Sequence, residues 1–243
     1  MIFPVPDSGP SSPEAVLTTE PTIHLDAPEA GAVPSWLDQV RDALTLPDGH
    51  EAPAYPSAEV PFTAVHHWHG AAATLIGQAA ARRGADAAPH DALRVLHARA
   101  AAGEPVGEEV WADALRPALR ETYRLAYPRE QVWSRAASAA SSFARTRGWT
   151  DDDAEQYGET YARMNTDVSE RVHVDANAVA NAAAYAVAFA TGDAGEYARA
   201  WPFALVQVWA AACAGPGADE SATREVRARL QDCLAEAIRL ATV

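Results

Sequence analysis

The chain has 243 residues, 49% hydrophobic and 21% charged, enough to bury the core of one domain or at most two. Its formal net charge of −14 argues against nucleic acid and anionic membrane surfaces as main partners. All 19 basic side chains are Arg, a usage that carries no signal of phosphate recognition.

No positively charged segment leads into an apolar run at the start of the chain, so no signal peptide is expected. No apolar run reaches ~18 residues, so no membrane span is expected either. The expectation is a cytoplasmic protein.

Residues 1–60 form a regime of their own. They hold most of the 17 prolines, ten carboxylates and one basic side chain, Arg41. Such Pro spacing forbids long helices and central strands. The segment reads as an acidic, extended arm. Within it, residues 35–46 are an exception. Ser35 is placed to cap, and Trp36, Leu37, Val40, Ala43 and Leu44 recur at helical spacing. A short amphipathic helix in an arm is the pattern of a helix-in-groove ligand. Trp36, Leu37, Val40 and Leu44 are therefore the candidate partner-binding residues, whether the groove belongs to another protein or to this chain.

Residues 61–243 read as an all-α domain of about seven or eight helices. Pro61 suits a first helical position, and helix one runs to about Arg83 with Phe62, Val65, Trp68, His69, Ala72 and Ile76 inward. A short helix spans about Ala92 to Ala102 and carries His97. Glu108 to Ala126 follows, with a kink expected at Pro117. Another helix covers about Arg129 to Arg147.

The stretch from Asp151 to Thr191 is the longest with helical periodicity. Thr150 is a plausible cap and Asp151, Asp152 and Asp153 complement the helix dipole. Tyr157, Tyr161, Met164, Val168, Val172, Val179, Ala183 and Ala186 fall on one stripe, expected to be the core face. Asp175 falls on that stripe too. An unpaired buried carboxylate is costly, so a helix break near Val174, with Asp175 capping the next helix, is expected.

Glu196 to Ala214 is read as one helix with Pro202 inside it, and about Ala222 to Ala241 as the last. Cys233 shares the apolar face of that last helix, and Cys213 and Cys233 make no disulfide framework. A weak repeat relates the segment from Trp111 to Ala126 to that from Tyr197 to Ala212 at constant offset, as stacked helical hairpins would. No alternating β-branched run marks a strand.

Candidate chemistry is sparse. His66 and His69 stand at i, i+3, a spacing that suits two ligands of one metal. Glu170 and His173 form one E-x-x-H, but a di-iron carboxylate bundle needs a second copy and further glutamates. Asn165, Ser169 and His173 follow a Mg²⁺-triad spacing that ends on His, a poor Mg²⁺ ligand. There is no Gly-rich phosphate loop, no C-x-x-C and no nucleophile elbow.

A cluster remains. If helix one packs face to face on the central stretch, His66 and His69 converge with Glu170, His173, Asn177 and Asn181. The two histidines, Glu170 and His173 are then the catalytic candidates, with Asn177 and Asn181 as ligand-binding groups. The one cofactor such a set implies is a divalent transition metal. The simpler reading makes Glu170, His173, Asn177 and Asn181 the solvated side of an amphipathic helix. Two functions follow. The first is a non-catalytic binding or adaptor protein acting through its arm and hairpin surfaces on a protein partner or on itself, as in a homo-oligomer. The second is a small all-α enzyme or ligand-binding protein built on the cluster.

Overall fold

The computed structural model describes residues 33–45 and 60–242, and the rest of the acidic arm lies outside them. All regular structure among the described residues is helical. The helices are α1 (Trp36–Leu44), α2 (Thr63–Arg82), α3 (Ala88–Ala101), α4 (Glu108–Ala126), α5 (Arg129–Thr146), α6 (Asp151–Ser169), α7 (Asn177–Thr191), α8 (Ala194–Arg199), α9 (Pro202–Ala214) and α10 (Glu220–Ala241). A π-helical segment, Glu170–Ala176, joins α6 to α7. No helix among them is long and apolar enough to cross a membrane.

Local chemistry explains most boundaries. Ser35, Thr150, Asp193 and Asp219 each accept a hydrogen bond from a backbone N–H in the first turn they cap. Gly192 closes α7 at φ 64°, a left-handed position that glycine adopts without strain. The helix expected over Glu196 to Ala214 is in fact two. Trp201 stands between them at φ 60°, and Pro202 begins α9 rather than kinking it. α4 runs on through Pro117.

The body packs α2 against α3 and α10, and α4 against α7 and α9. Trp68, Trp111, Tyr185, Tyr197, Leu115, Leu230 and Leu234 fill its centre. Arg83 reaches the open carbonyls of two helix ends, Ala212 on α9 at 3.0 Å and Leu125 on α4 at 2.9 Å. It satisfies groups that the helices cannot satisfy themselves.

α1 lies on α8, α9 and α10 of its own chain. Trp36 meets the Tyr197 ring edge-on at 5.8 Å. The open carbonyls at the end of α1 are filled from the body. Gln207 Nε2 donates to Ala43 O, Gln231 Nε2 donates to Leu44 O (3.0 Å each), and Arg227 donates to Thr45 O. The groove implied by Trp36, Leu37, Val40 and Leu44 is thus in the same molecule. Trp36, Val40 and Leu44 are buried there, and Leu37, partly buried, packs against the same core.

α5 and α6 pack on each other far more than on the body. Their seam is made of small residues, Ala136, Ala140, Ser141 and Ala144 against Ala154, Gly158, Ala162 and Thr166. Small residues let the two backbones approach closely, and this seam reverses the expected polarity of α6. Tyr161, Met164, Val168 and Val172, read as the core face, are exposed, and Tyr157 is half-buried. Ala183 and Val179 are exposed as well, while Ala186 is buried. The expected break near Val174 is also absent. The π segment carries the chain through without a stop and turns Asp175 off the stripe, where it pairs with Arg120 at 2.7 Å.

Candidate functional site

Three sites follow from this fold. The first is a buried group of histidines. α2 supplies His66 and His69, α3 supplies His97, and all three are closed to solvent. His66 Nδ1 and His97 Nδ1 are 3.2 Å apart, and His69 Nε2 lies 2.7 Å from the Tyr197 hydroxyl. His66 stacks on Trp111, their planes 3° apart, and Phe189 packs against His66, His69 and His97. His97 Nε2 has no hydrogen-bond partner among the described residues. If His97 Nδ1–H donates to His66 Nδ1, the atom left over is a lone pair, which is less costly to orphan than an N–H. We assign that tautomer.

Burial dominates the electrostatics. Desolvation, with a smaller contribution from His67, lowers the His66 pKa from 6.5 to about 4. Desolvation also holds His69 and His97 well below their ordinary value, and pushes Tyr185 and Tyr197 well above theirs. These groups are neutral and held in place by aromatic faces. A cavity of about 20 Å³ touches His69, His90 and Thr122. That is room for one water-sized molecule and far too little for a substrate. Among the described residues, no group of three or more His, Cys, Asp or Glu side chains is arranged to hold a metal ion.

The second site surrounds the π segment, where two of the sequence candidates lie. Glu170 is tied to Arg129 at 2.8 Å and to Arg124 at 3.5 Å, and Arg129 also holds Asp167 at 2.7 Å. His173 is exposed, 6.2 Å ring to ring from Tyr127. Asn177 donates weakly to the His173 carbonyl at 3.4 Å, and Asn181 donates to the Tyr123 hydroxyl. The imidazoles of α2 instead meet α7 at Tyr185 and Phe189. At a rise of about 1.5 Å per residue, that is about 18 Å along the helix from His173. Glu170, His173, Asn177 and Asn181 therefore do not converge with His66 and His69. The pairing that does form, His66 with His97, joins residues 31 apart in sequence, and no local spacing announces it.

A pocket of about 200 Å³ opens here, lined by Arg124, Tyr127, Arg129, Thr166, Glu170 and Val174 among others. Thr166 is 1% exposed, and its hydroxyl has no hydrogen-bond partner among the described residues. π segments of this kind inside α-helices are frequent at functional sites.

The third site is the uncovered face of α6. Met164 is 60% exposed and Val172 50%. Their steps along the chain (157, 161, 164, 168, 172) are 4, 3, 4 and 4. The last step would be 3 in a heptad pattern, and the extra residue of the π segment keeps Val172 in line with the rest. Trp149 extends the apolar face, its ring 5.4 Å from that of Tyr157. Sequence periodicity found this stripe and misjudged which way it points.

No family model, no curated protein and no solved structure matches this chain.

Proposed function

We propose that the chain is a non-catalytic helical binding protein whose working surface is the α5/α6 hairpin. The observation that carries this reading is the exposed run of Tyr161, Met164, Val168 and Val172 on a hairpin that stands off the body. Contiguous exposed apolar surface of this kind marks association sites. A regular helical stripe fits an apolar face on another helix. The arm helix no longer competes for this role, because its apolar face is used inside the chain.

A photo-crosslinking residue at position 164 tests the reading, with position 235 on the exposed side of α10 as the control. The expected result is an adduct formed from position 164 alone, lost when Val168→Asp and Val172→Asp are added. No adduct, or the same adducts from both positions, overturns the reading.

A second reading, a small-molecule site at the π segment, is favoured by the unpaired Thr166 hydroxyl beside two guanidinium groups. A small carboxylic acid would compete with Glu170 for Arg124 and Arg129 while the hydroxyl supplies one hydrogen bond. It predicts a thermal shift on adding acetate or benzoate that Thr166→Val abolishes. An unchanged melting temperature in every acid tried removes it.

A further inference from the structure

We propose that the occupant of the α6 stripe is a second copy of this chain, packed antiparallel across a two-fold axis so that two α5/α6 hairpins form a four-helix bundle. This inference rests on the reading of the hairpin as a binding surface and names its partner.

The ends of the stripe differ in charge and in shape. Its N-terminal end begins with Asp151, Asp152 and Asp153 in the first turn of α6. Its C-terminal end carries Arg171 beside Asp167 and Glu170, two carboxylates already held by Arg129. At ~100° per residue, Asp153 and Arg171 fall on the same flank of the stripe. Both are exposed, and neither forms a salt bridge among the described residues; Asp153 accepts from the Thr150 hydroxyl at 2.7 Å and Arg171 Nε donates to the Asp167 carbonyl at 3.3 Å. A parallel pair would set Asp153 against Asp153 and Arg171 against Arg171. An antiparallel pair sets Asp153 of each copy against Arg171 of the other.

Shape points the same way. The N-terminal half is aromatic, with Trp149, Tyr157 and Tyr161 in series at ring distances of 5.4 and 6.3 Å. The C-terminal half, Met164, Val168 and Val172, is aliphatic. In the antiparallel register that brings Asp153 beside Arg171, Tyr157 covers Val168 and Tyr161 covers Met164 of the second copy. Aromatic residues packed on smaller apolar ones, with charges at the rim, are the usual make-up of a binding hot spot. An isologous contact of this kind closes on itself and stops at two copies.

The test uses the purified full chain. Its mass in sedimentation is expected to rise from 25.8 kDa toward twice that value across the micromolar range. Met164→Asp with Val168→Asp should abolish the rise and leave the circular-dichroism melt unchanged at concentrations where the unaltered chain is monomeric. Arg171→Glu should weaken association roughly two- to fivefold, and adding Asp153→Arg should restore it. Orientation is read by disulfide trapping in a background with Cys213→Ser and Cys233→Ser. A mixture of Asp153→Cys and Arg171→Cys chains should cross-link, and neither chain should cross-link with itself.

A monomer at every concentration overturns the inference. If position 164 still captures an unrelated protein, the wider reading of the hairpin survives. If position 164 instead cross-links to residues 1–32 of its own chain, the face is covered from within and both readings fall. A dimer that ignores the stripe variants, or in which each cysteine variant cross-links with itself, also overturns the inference.

Discussion

His69 Nε2 and the Tyr197 hydroxyl lie 2.7 Å apart at the centre of the molecule, both fully enclosed by aromatic rings. Each is the other's hydrogen-bond partner, so removing one strands the other. Tyr197→Phe should destabilise the fold by about 1–3 kcal/mol, the range for leaving a buried polar group unpaired. Tyr185 provides the control. Its hydroxyl is also buried but has no hydrogen-bond partner among the described residues, so Tyr185→Phe should be neutral or stabilising. Urea unfolding of the two variants separates these cases, and equal losses would contradict the assignment.

The buried histidines make stability depend on pH in a defined direction. His66 and His90 titrate near pH 4 in the folded chain, against 6.5 for a free imidazole, and His69 and His97 lie well below 6.5. Burial is the main cause in all four. The unfolded chain therefore binds more protons between pH 6.5 and 4, and stability falls as pH is lowered through that window. It is fully present above pH 6.5. At ~1.4 kcal/mol per pKa unit, His66 alone accounts for about 3 kcal/mol of loss by pH 4. That is a large share of the ~5–15 kcal/mol of a typical domain. Tryptophan fluorescence should show cooperative acid unfolding inside this window, and His66→Phe should move its midpoint to lower pH. A chain that keeps its native spectrum down to pH 3.5 would contradict this.

Helix positions were legible in the sequence where local chemistry sets them. The capping role of Thr150, the extent of α4 and the apolar face of α1 follow from side chains within a few residues of one another. The orientation of α6 was not legible. Periodicity finds the apolar side of a helix, but Ala154, Gly158 and Ala162 bury the other side because close backbone approach outweighs side-chain hydrophobicity there. The His66–His97 contact depends on how α2 meets α3, which no spacing within either helix encodes. Asp175 on the apolar stripe signalled an irregularity correctly, yet a π segment resolved it without the expected break.

The α5/α6 seam makes its own prediction. A Cβ built on Gly158 would meet the Ser141 side chain and would stand 2.7 Å from the Ala137 carbonyl oxygen, which is backbone and cannot rotate away. Gly158→Ala should then push the two helices apart and destabilise the fold by about 1–3 kcal/mol, despite the better helix propensity of alanine. Because the splayed hairpin no longer presents a regular stripe, the same variant should weaken self-association. Thermal unfolding and sedimentation of this one variant read both effects. An undiminished melting temperature would mean that the seam is looser than the structure has it.

Trp36 and Met164 exchange the roles that periodicity suggests for them, and truncating each to alanine separates the two accounts. Trp36 is 5% exposed, against Tyr197 and the core beneath it. Trp36→Ala should lower stability by about 3–5 kcal/mol, as a large cavity in a core does. It should also loosen the carbonyls that Gln207, Gln231 and Arg227 hold at the end of α1. Met164 is surrounded mostly by solvent, so Met164→Ala should change monomer stability by no more than ~0.5 kcal/mol. The measurement is denaturant unfolding at a concentration low enough to keep the chain monomeric. A large loss for Met164→Ala would return the stripe to the core, and no loss for Trp36→Ala would free α1 to serve as a ligand for another protein.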